Sequence, residues 1–149
     1  MSDHLGYRPD PENPGWLTRP QTDENRFLDV YGDMRVRAES PTVSRIQLVP
    51  RAMHRNLFET IHGGFLLAVV DHALFIGPAV QGRTQAGGGS TIDVSTQFLA
   101  PVVPEVMIDV VLETLRETHR MIFMRGTIEQ DGAVKLAFSG TIKKARAVS

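Results

Sequence analysis

Cysteine is missing from all 149 residues. That absence excludes a disulfide framework, a thiolate zinc site and a cysteine nucleophile together, and it is compatible with a reducing cytosol. An excess of either charge is missing as well. Sixteen Lys and Arg against 17 Asp and Glu leave a formal charge of -1, so no global field draws the chain to nucleic acid. A local basic patch for phosphates remains open. Long hydrophobic runs are absent too: "FLLAVV", the longest, is far short of a membrane span. "MSDHLGYRPDPENPGWLTRP" has no apolar stretch behind a basic start, so it does not read as a signal peptide. No His-x-x-x-His pair or carboxylate cluster has ligand spacing, and no metal is expected. The expectation is a soluble, cytoplasmic protein of a single core, with no nucleic-acid or membrane partner.

What is present divides into an arm and a domain. Residues 1–25 read as an irregular N-terminal arm, with four prolines among the first twenty positions. It either lies over the domain, anchored by Leu5, Tyr7, Trp16 and Leu17, or is a partly disordered tail. Residues 26–149 read as the domain. "DENRFLDVYG" suits a short helix capped by Thr22 or Asp23. "MRVRAE" and "TVSRIQLVP" alternate as strands, and "RAMHRNLFETI" reads as a loop or helical turn. Residues 62–81 read as the main helix, apolar on nearly all sides, with Pro78 set to kink or end it. "GRTQAGGG" reads as a flexible loop. "STIDVSTQFLAP" is a strand whose alternation places Ile92, Val94, Thr96 and Phe98 on one face and Thr91 on the other. Three more strands follow, the last two joined by Asp131-Gly132, a hairpin signal. The order predicts an α+β fold: an antiparallel sheet of five to six strands, the last four in a meander, wrapped around one long central helix.

Chemistry concentrates in "TIHGGFLLAVVDHALF". A carboxylate within an apolar helix costs free energy unless it is satisfied or put to use, and Asp71 sits in that position. The first N–H groups of a helix lack internal partners and lie at the positive end of its dipole. Gly63 and Gly64 have no side chains there, so an oxygen can approach those N–H groups, although two glycines also simply permit a tight turn. Eight positions at a helical rise separate Gly63 from Asp71 by roughly 12 Å. One helix therefore cannot present both groups to one carbonyl, whereas two antiparallel copies can. If both groups are catalytic, the site lies at a twofold interface. His72 points about 100° away from Asp71 and reads as a packed or interface histidine. His54 and His119 fall in loops or turns and read as solvated, and His4 belongs to the arm.

"NLFETIHGGFLLAVVD" resembles the motif of the hot-dog fold acyl-CoA thioesterases of the phenylacetate-degradation (PaaI-like) type. Asn56, His62, Gly63, Gly64 and Asp71 match its spacing, and "STIDVSTQFLAPV" resembles the strand that follows it. The resemblance implies a hydrolase that splits an acyl-CoA into a carboxylic acid and CoA. It implies Asp71 as base or nucleophile, the Gly63 N–H of a partner subunit as oxyanion donor, and Asn56 and His62 as residues that shape the turn. Thr91 matches a hydroxyl that helps place water. Gly64, Ser90 and Phe98 border the acyl-CoA channel. The resemblance further implies a homodimer with intersubunit sites, paired as a dimer of dimers (a homotetramer). No cofactor is implied, since coenzyme A is part of the substrate. One departure stands out: Glu59 occupies a position where this family usually has glycine. A hot-dog hydratase would need a histidine and carboxylate placed for proton transfer at acyl carbons, which this pattern does not offer. A catalytically weak CoA-ester binding or sensing module is the remaining alternative. Arg55, Arg83, Arg116, Arg120, Lys143 and Lys144 are candidates for the CoA phosphates, and the sequence does not select among them.

Overall fold

Helix α1 runs from Gly63 to Val80 and packs into the concave face of an antiparallel sheet. The computed structural model describes residues 5–146; His4 lies outside them. Leu66, Val69, Val70, Ala73, Leu74 and Ile76 on the helix join Ile46, Val110, Met124 and Ile142 from the sheet in a core that water does not reach. Each such Leu, Ile, Val or Met side chain contributes roughly 1.5–3 kcal/mol of burial free energy. By length and composition α1 would suit a membrane span, but here the sheet covers most of it. Pro78 is accommodated in its last turn. Ser44 Oγ donates to the Gly77 carbonyl at 2.7 Å, and Gln81 and Thr114 extend that buried polar network.

The sheet has eight strands, more than the five or six expected. Six are those the alternation marks: β3 (Met34–Ala38), β4 (Val43–Leu48), β5 (Ser90–Phe98), β6 (Ile108–Glu117), β7 (Met121–Gln130) and β8 (Ala133–Lys143). The other two, β1 (Arg8–Pro9) and β2 (Leu17–Arg19), come from the arm. They are too short for any periodicity to show. The spatial order is β1-β2-β3-β4-β6-β7-β8-β5, so the expected four-strand meander holds only for β6, β7 and β8. Their short turns force neighbours together; Asp131 and Gly132 both take positive φ, as a tight hairpin requires. The longer Pro-bearing connection 99–107 instead lets β5 occupy the far edge, beside β8.

The arm closes one flank of the helix. Tyr7 and Trp16 are buried, with Leu5 and Leu17 packed against the core. Trp16 lies under the guanidinium groups of Arg35 and Arg37, 4.8 and 4.4 Å from its ring centre. The expected short helix is a 3₁₀ turn, Phe27–Tyr31, and neither Thr22 nor Asp23 caps it; the Asp29 carboxylate accepts from Arg26 N instead. From this turn Tyr31 donates to the Ala68 carbonyl at 2.8 Å. His72 stacks between Tyr7 and Tyr31, and its Nε2 lies 3.1 Å from the Tyr7 hydroxyl. It is a packed histidine, as expected.

Burial, reinforced by the nearby Arg19 charge, lowers the His72 pKa from 6.5 to about 4. The neutral ring is the form that fits, so the unfolded chain binds the extra proton and acid favours unfolding. His72 therefore lends stability in full above pH 6.5 and loses it as pH falls toward 4. Urea titrations across that window should show wild type losing on the order of 3 kcal/mol more than His72→Gln. Parallel profiles would remove His72 as the cause.

Candidate active site

The segment before α1 is built around one side chain. Asn56 Oδ1 accepts from Phe58 N at 2.8 Å and Thr60 N at 3.2 Å, while its Nδ2 donates to Thr60 Oγ1 at 2.9 Å. The backbone closes behind it through Asn56 N to Thr60 O, 2.7 Å. These bonds fold residues 56–60 into a turn that delivers the chain to the helix start at a fixed angle. Glu59 lies within the turn at φ 65°, a left-handed conformation that suits glycine and strains a residue with a Cβ. Its carboxylate pairs with Arg55 at the surface.

His62 caps the helix: its Nδ1 accepts from Gly64 N at 2.8 Å. Phe65 and Leu66 donate to the His62 carbonyl. Among the described residues the Gly63 N–H has no acceptor. It is the first amide of an 18-residue helix, at the positive end of the dipole. Beside it opens a cleft of about 400 Å³, walled by Phe98, Leu99 and Pro101 opposite Asn56 and Thr60. A Cβ on Gly63 would stand 3.3 Å from the Phe98 ring, so glycine keeps this approach open. The sequence points to Phe98; Leu99 and Pro101 carry no chemical signal and emerge only from the fold.

Asp71 lies two turns further along, on a stripe of α1 that neither sheet nor arm covers. Gly64, Leu67 and Asp71 are exposed there, and Ala68 and Phe75 are partly exposed. The carboxylate is thus open to solvent in the single chain rather than enclosed. Thr91 Oγ1 donates to Asp71 Oδ1 at 2.6 Å. Strict alternation places Thr91 on the face away from Val94. A β-bulge corrects this: Thr91 pairs with Ile142 and Asp93 with Thr141, leaving Ile92 as the extra residue. The bulge turns Thr91 toward the helix and Ile92 outward, 53% exposed. Ser90, one residue earlier, is exposed and pairs with Lys143.

The predicted residues fall into two groups. Asn56, His62, Gly63, Gly64 and Phe98 meet at the start of α1, and Asp71 and Thr91 meet near its middle, with Ser90 beside Thr91 on the strand and paired to Lys143 rather than to the helix. Within one chain they do not converge, because α1 is continuous from Gly63 past Asp71. His54, expected to be solvated, is buried instead. Its Nε2 lies 2.7 Å from the Val30 carbonyl, its Nδ1 accepts from Arg51 N, and its ring stacks on Phe65.

The family model for the acyl-CoA thioesterase N-terminal domain matches residues 52–143. A mutant of the phenylacetic acid degradation protein PaaI from Thermus thermophilus is 21% identical, over 79% of this chain and 97% of that one, with a TM-score of 0.66. Zebrafish thioesterase superfamily member 2 is 16% identical, over 83% and 89% of the two chains, with a TM-score of 0.70. A hypothetical thioesterase protein with coenzyme A from Streptococcus pneumoniae is 14% identical, over 82% and 93%, with a TM-score of 0.69. No curated protein matches the chain. The shared architecture, one long helix held in a curved antiparallel sheet, is the hot-dog fold.

Glycine at position 59 should relieve the turn. Glu59→Gly is expected to raise stability by about 1 kcal/mol, whereas Glu59→Ala, which keeps a Cβ and loses the Arg55 pair, should not. Thermal midpoints of the three proteins decide this; equal midpoints would show the turn to be unstrained.

Proposed function

The chain belongs to the acyl-CoA thioesterase N-terminal domain family, and from that premise we propose that it hydrolyses an acyl-CoA at a site shared by two copies of itself. Asp71 of one copy serves as base or nucleophile, and the Gly63 N–H of the other serves as oxyanion donor. The observation that carries this reading is the pairing of an open, Thr91-bound Asp71 with an unengaged helix-start N–H on the same uncovered face.

Symmetry can join the two halves. β5 is the last strand of the sheet, and its outer edge has no partner among the described residues. Nine residues of open edge invite another strand. If β5 pairs with its own copy about Val94, Thr91 comes opposite the partner's Gln97 and beside the partner's Phe98. Thr91 already touches Asp71, and Phe98 already borders Gly63. The same twofold therefore brings Asp71 of one copy to Gly63 of the other. The open stripe of α1 supplies the apolar surface such a dimer would bury, and dimers of this kind can pair further into a tetramer.

The chemistry then runs as follows. The thioester carbonyl points its oxygen at the Gly63 N–H, where the helix dipole favours the developing negative charge. Asp71 either takes a proton from an attacking water or attacks the carbonyl carbon itself. Thr91 holds the carboxylate in place and donates to one oxygen, leaving the other free to act. Collapse of the tetrahedral species expels the CoA thiolate, which is a better leaving group than an alkoxide; where Asp71 itself attacked, a water then hydrolyses the resulting acyl anhydride, releasing the acid and restoring the carboxylate. Asn56 and His62 act through the turn, by holding the donor where the oxyanion forms.

Release of CoA from a panel of aliphatic and aromatic acyl-CoAs tests this reading. Asp71→Asn is expected to lower kcat by about a thousandfold. Gly63→Pro, which removes the N–H while fitting the first position of a helix, should also be inactive. Mixing these two variants after co-refolding should restore about a quarter of wild-type activity, since half the dimers are mixed and each carries one intact site. Recovery of none, with mixed dimers present, would reject a site shared between two copies. Turnover of no ester by wild type would leave the CoA-ester sensing module.

A further inference from the structure

Arg19, at the end of β2, carries its charge where water hardly reaches. Among the described residues it is the only Lys, Arg, Asp or Glu that is buried, at 4% exposure. A guanidinium taken out of water destabilises a fold unless an opposite charge or a set of acceptors meets it. Arg19 is met poorly. Nη1 reaches the Leu28 carbonyl at 3.5 Å, the far limit of a hydrogen bond, and Nη2 lies 4.0 Å from the Asp29 carboxylate. That carboxylate is engaged from elsewhere: Thr22 Oγ1 donates to one oxygen and Arg26 N to the other.

The remaining N–H groups of Arg19 open into a cavity. Nε of Arg51 and Nε of Arg83 are sealed without a partner, but no nitrogen of Arg19 is. The cavity measures about 420 Å³ and lies between residues 5–8 and residues 19–28. The β1–β2 register sets Arg8 opposite Thr18, one position from Arg19, and both arginines line the space. Gly6 closes over the guanidinium: a Cβ there would stand 3.5 Å from Arg19 Nε. Three arginines, Arg8, Arg19 and Arg26, face one carboxylate in the lining, Glu24. Glu24 lies 3.6 Å from Arg26 at the surface. Arg8 has no ion pair among the described residues, so the charges of Arg8 and Arg19 are left over. Leu5, Pro20 and Leu28 add an apolar wall.

We propose that this cavity binds a phosphate dianion, free or carried on a small organic body, with Arg19 as its seat. Two surplus positive charges match a dianion, and guanidinium forks suit phosphate oxygens. The ligand supplies the acceptors that the fold withholds from Arg19. The site is separate from the thioester chemistry and does not depend on it. In the strand order β2 lies toward the opposite end of the sheet from β5. His72, the α1 residue that meets the arm, points about 100° away from Asp71. Tyr7 follows Gly6, and its hydroxyl lies 3.1 Å from His72 Nε2, so a seated dianion also ties the arm to α1.

Calorimetry and thermal midpoints with inorganic phosphate and phenyl phosphate test the cavity. Each should bind wild type and raise its midpoint, and acetate at the same concentration should not. Tighter binding of phenyl phosphate would name an organic phosphate as occupant, and equal binding would name the free ion. Arg8→Ala should weaken binding about tenfold, and Glu24→Gln should strengthen it about threefold. Both side chains are exposed, so these two variants decide the case whether or not changes at Arg19 are tolerated. Arg19→Met should lose binding, and without phosphate its midpoint should equal or exceed that of wild type, because a poorly met buried charge is gone. A structural ion pair would instead give a lower midpoint, and that outcome overturns the seat. Arg125→Gln, on β7, should bind as wild type does. No binding of either phosphate by wild type, or binding unchanged in Arg8→Ala, would overturn the inference. A raised acyl-CoA KM in Arg8→Ala would overturn it too, since the cavity would then belong to the substrate.

Discussion

Helix α1 is apolar on almost every side, and a single sheet must bury it; the rest of the structure answers to that constraint. A flat sheet covers one face of a helix. Here the strands curl so that β3, β4, β6, β7 and β8 all contribute side chains to the same core. The arm adds Tyr7 and the 3₁₀ turn after it adds Tyr31 on one flank, around His72. What remains is a narrow stripe from Gly64 to Phe75, and Asp71 lies at its middle. A carboxylate can stand in so apolar a helix because it occupies the one strip the sheet leaves open.

The start of the same helix shows how rigidity is supplied without using up the donor. Asn56 satisfies the amides of the turn, and His62 takes the Gly64 amide. Each bond fixes the backbone, and none engages the Gly63 N–H. A donor held in place by its surroundings can stabilise charge without first reorganising, which is where most of its effect lies. Glu59 works against this arrangement, since it holds a left-handed conformation that glycine would adopt without strain. The turn tolerates it because the Asn56 bonds over-determine the backbone on both sides.

The two edges of the sheet have opposite fates. At one, the arm adds β1 and β2 and Trp16 is covered by two arginines. At the other, β5 stays bare and carries Ile92 and Phe98, each 53% exposed. The bulge at Thr91 strengthens the contrast, because it sends one side chain to the helix and the next outward. Covering one edge and leaving the other open sets where a second chain can add, and the proposed site lies along that open edge.

The elements and the chemistry at hand were legible before any coordinates. Period-two alternation marks the six long strands, an apolar run marks α1, and the Asn56 to Asp71 spacing marks the candidate site residues, because each of these is a local pattern. Residues far apart in the chain are another matter. The strand order, with β5 beside β8, depends on which path the 99–107 connection takes across the molecule. The two short strands of the arm have no periodicity to read. The bulge that brings Thr91 to Asp71 breaks the alternation on which the sequence reading relies. The burial of His54 comes from separate segments meeting in space. Local preference writes the elements into the sequence; their meeting is decided by packing around one helix, which exists only once the chain has folded.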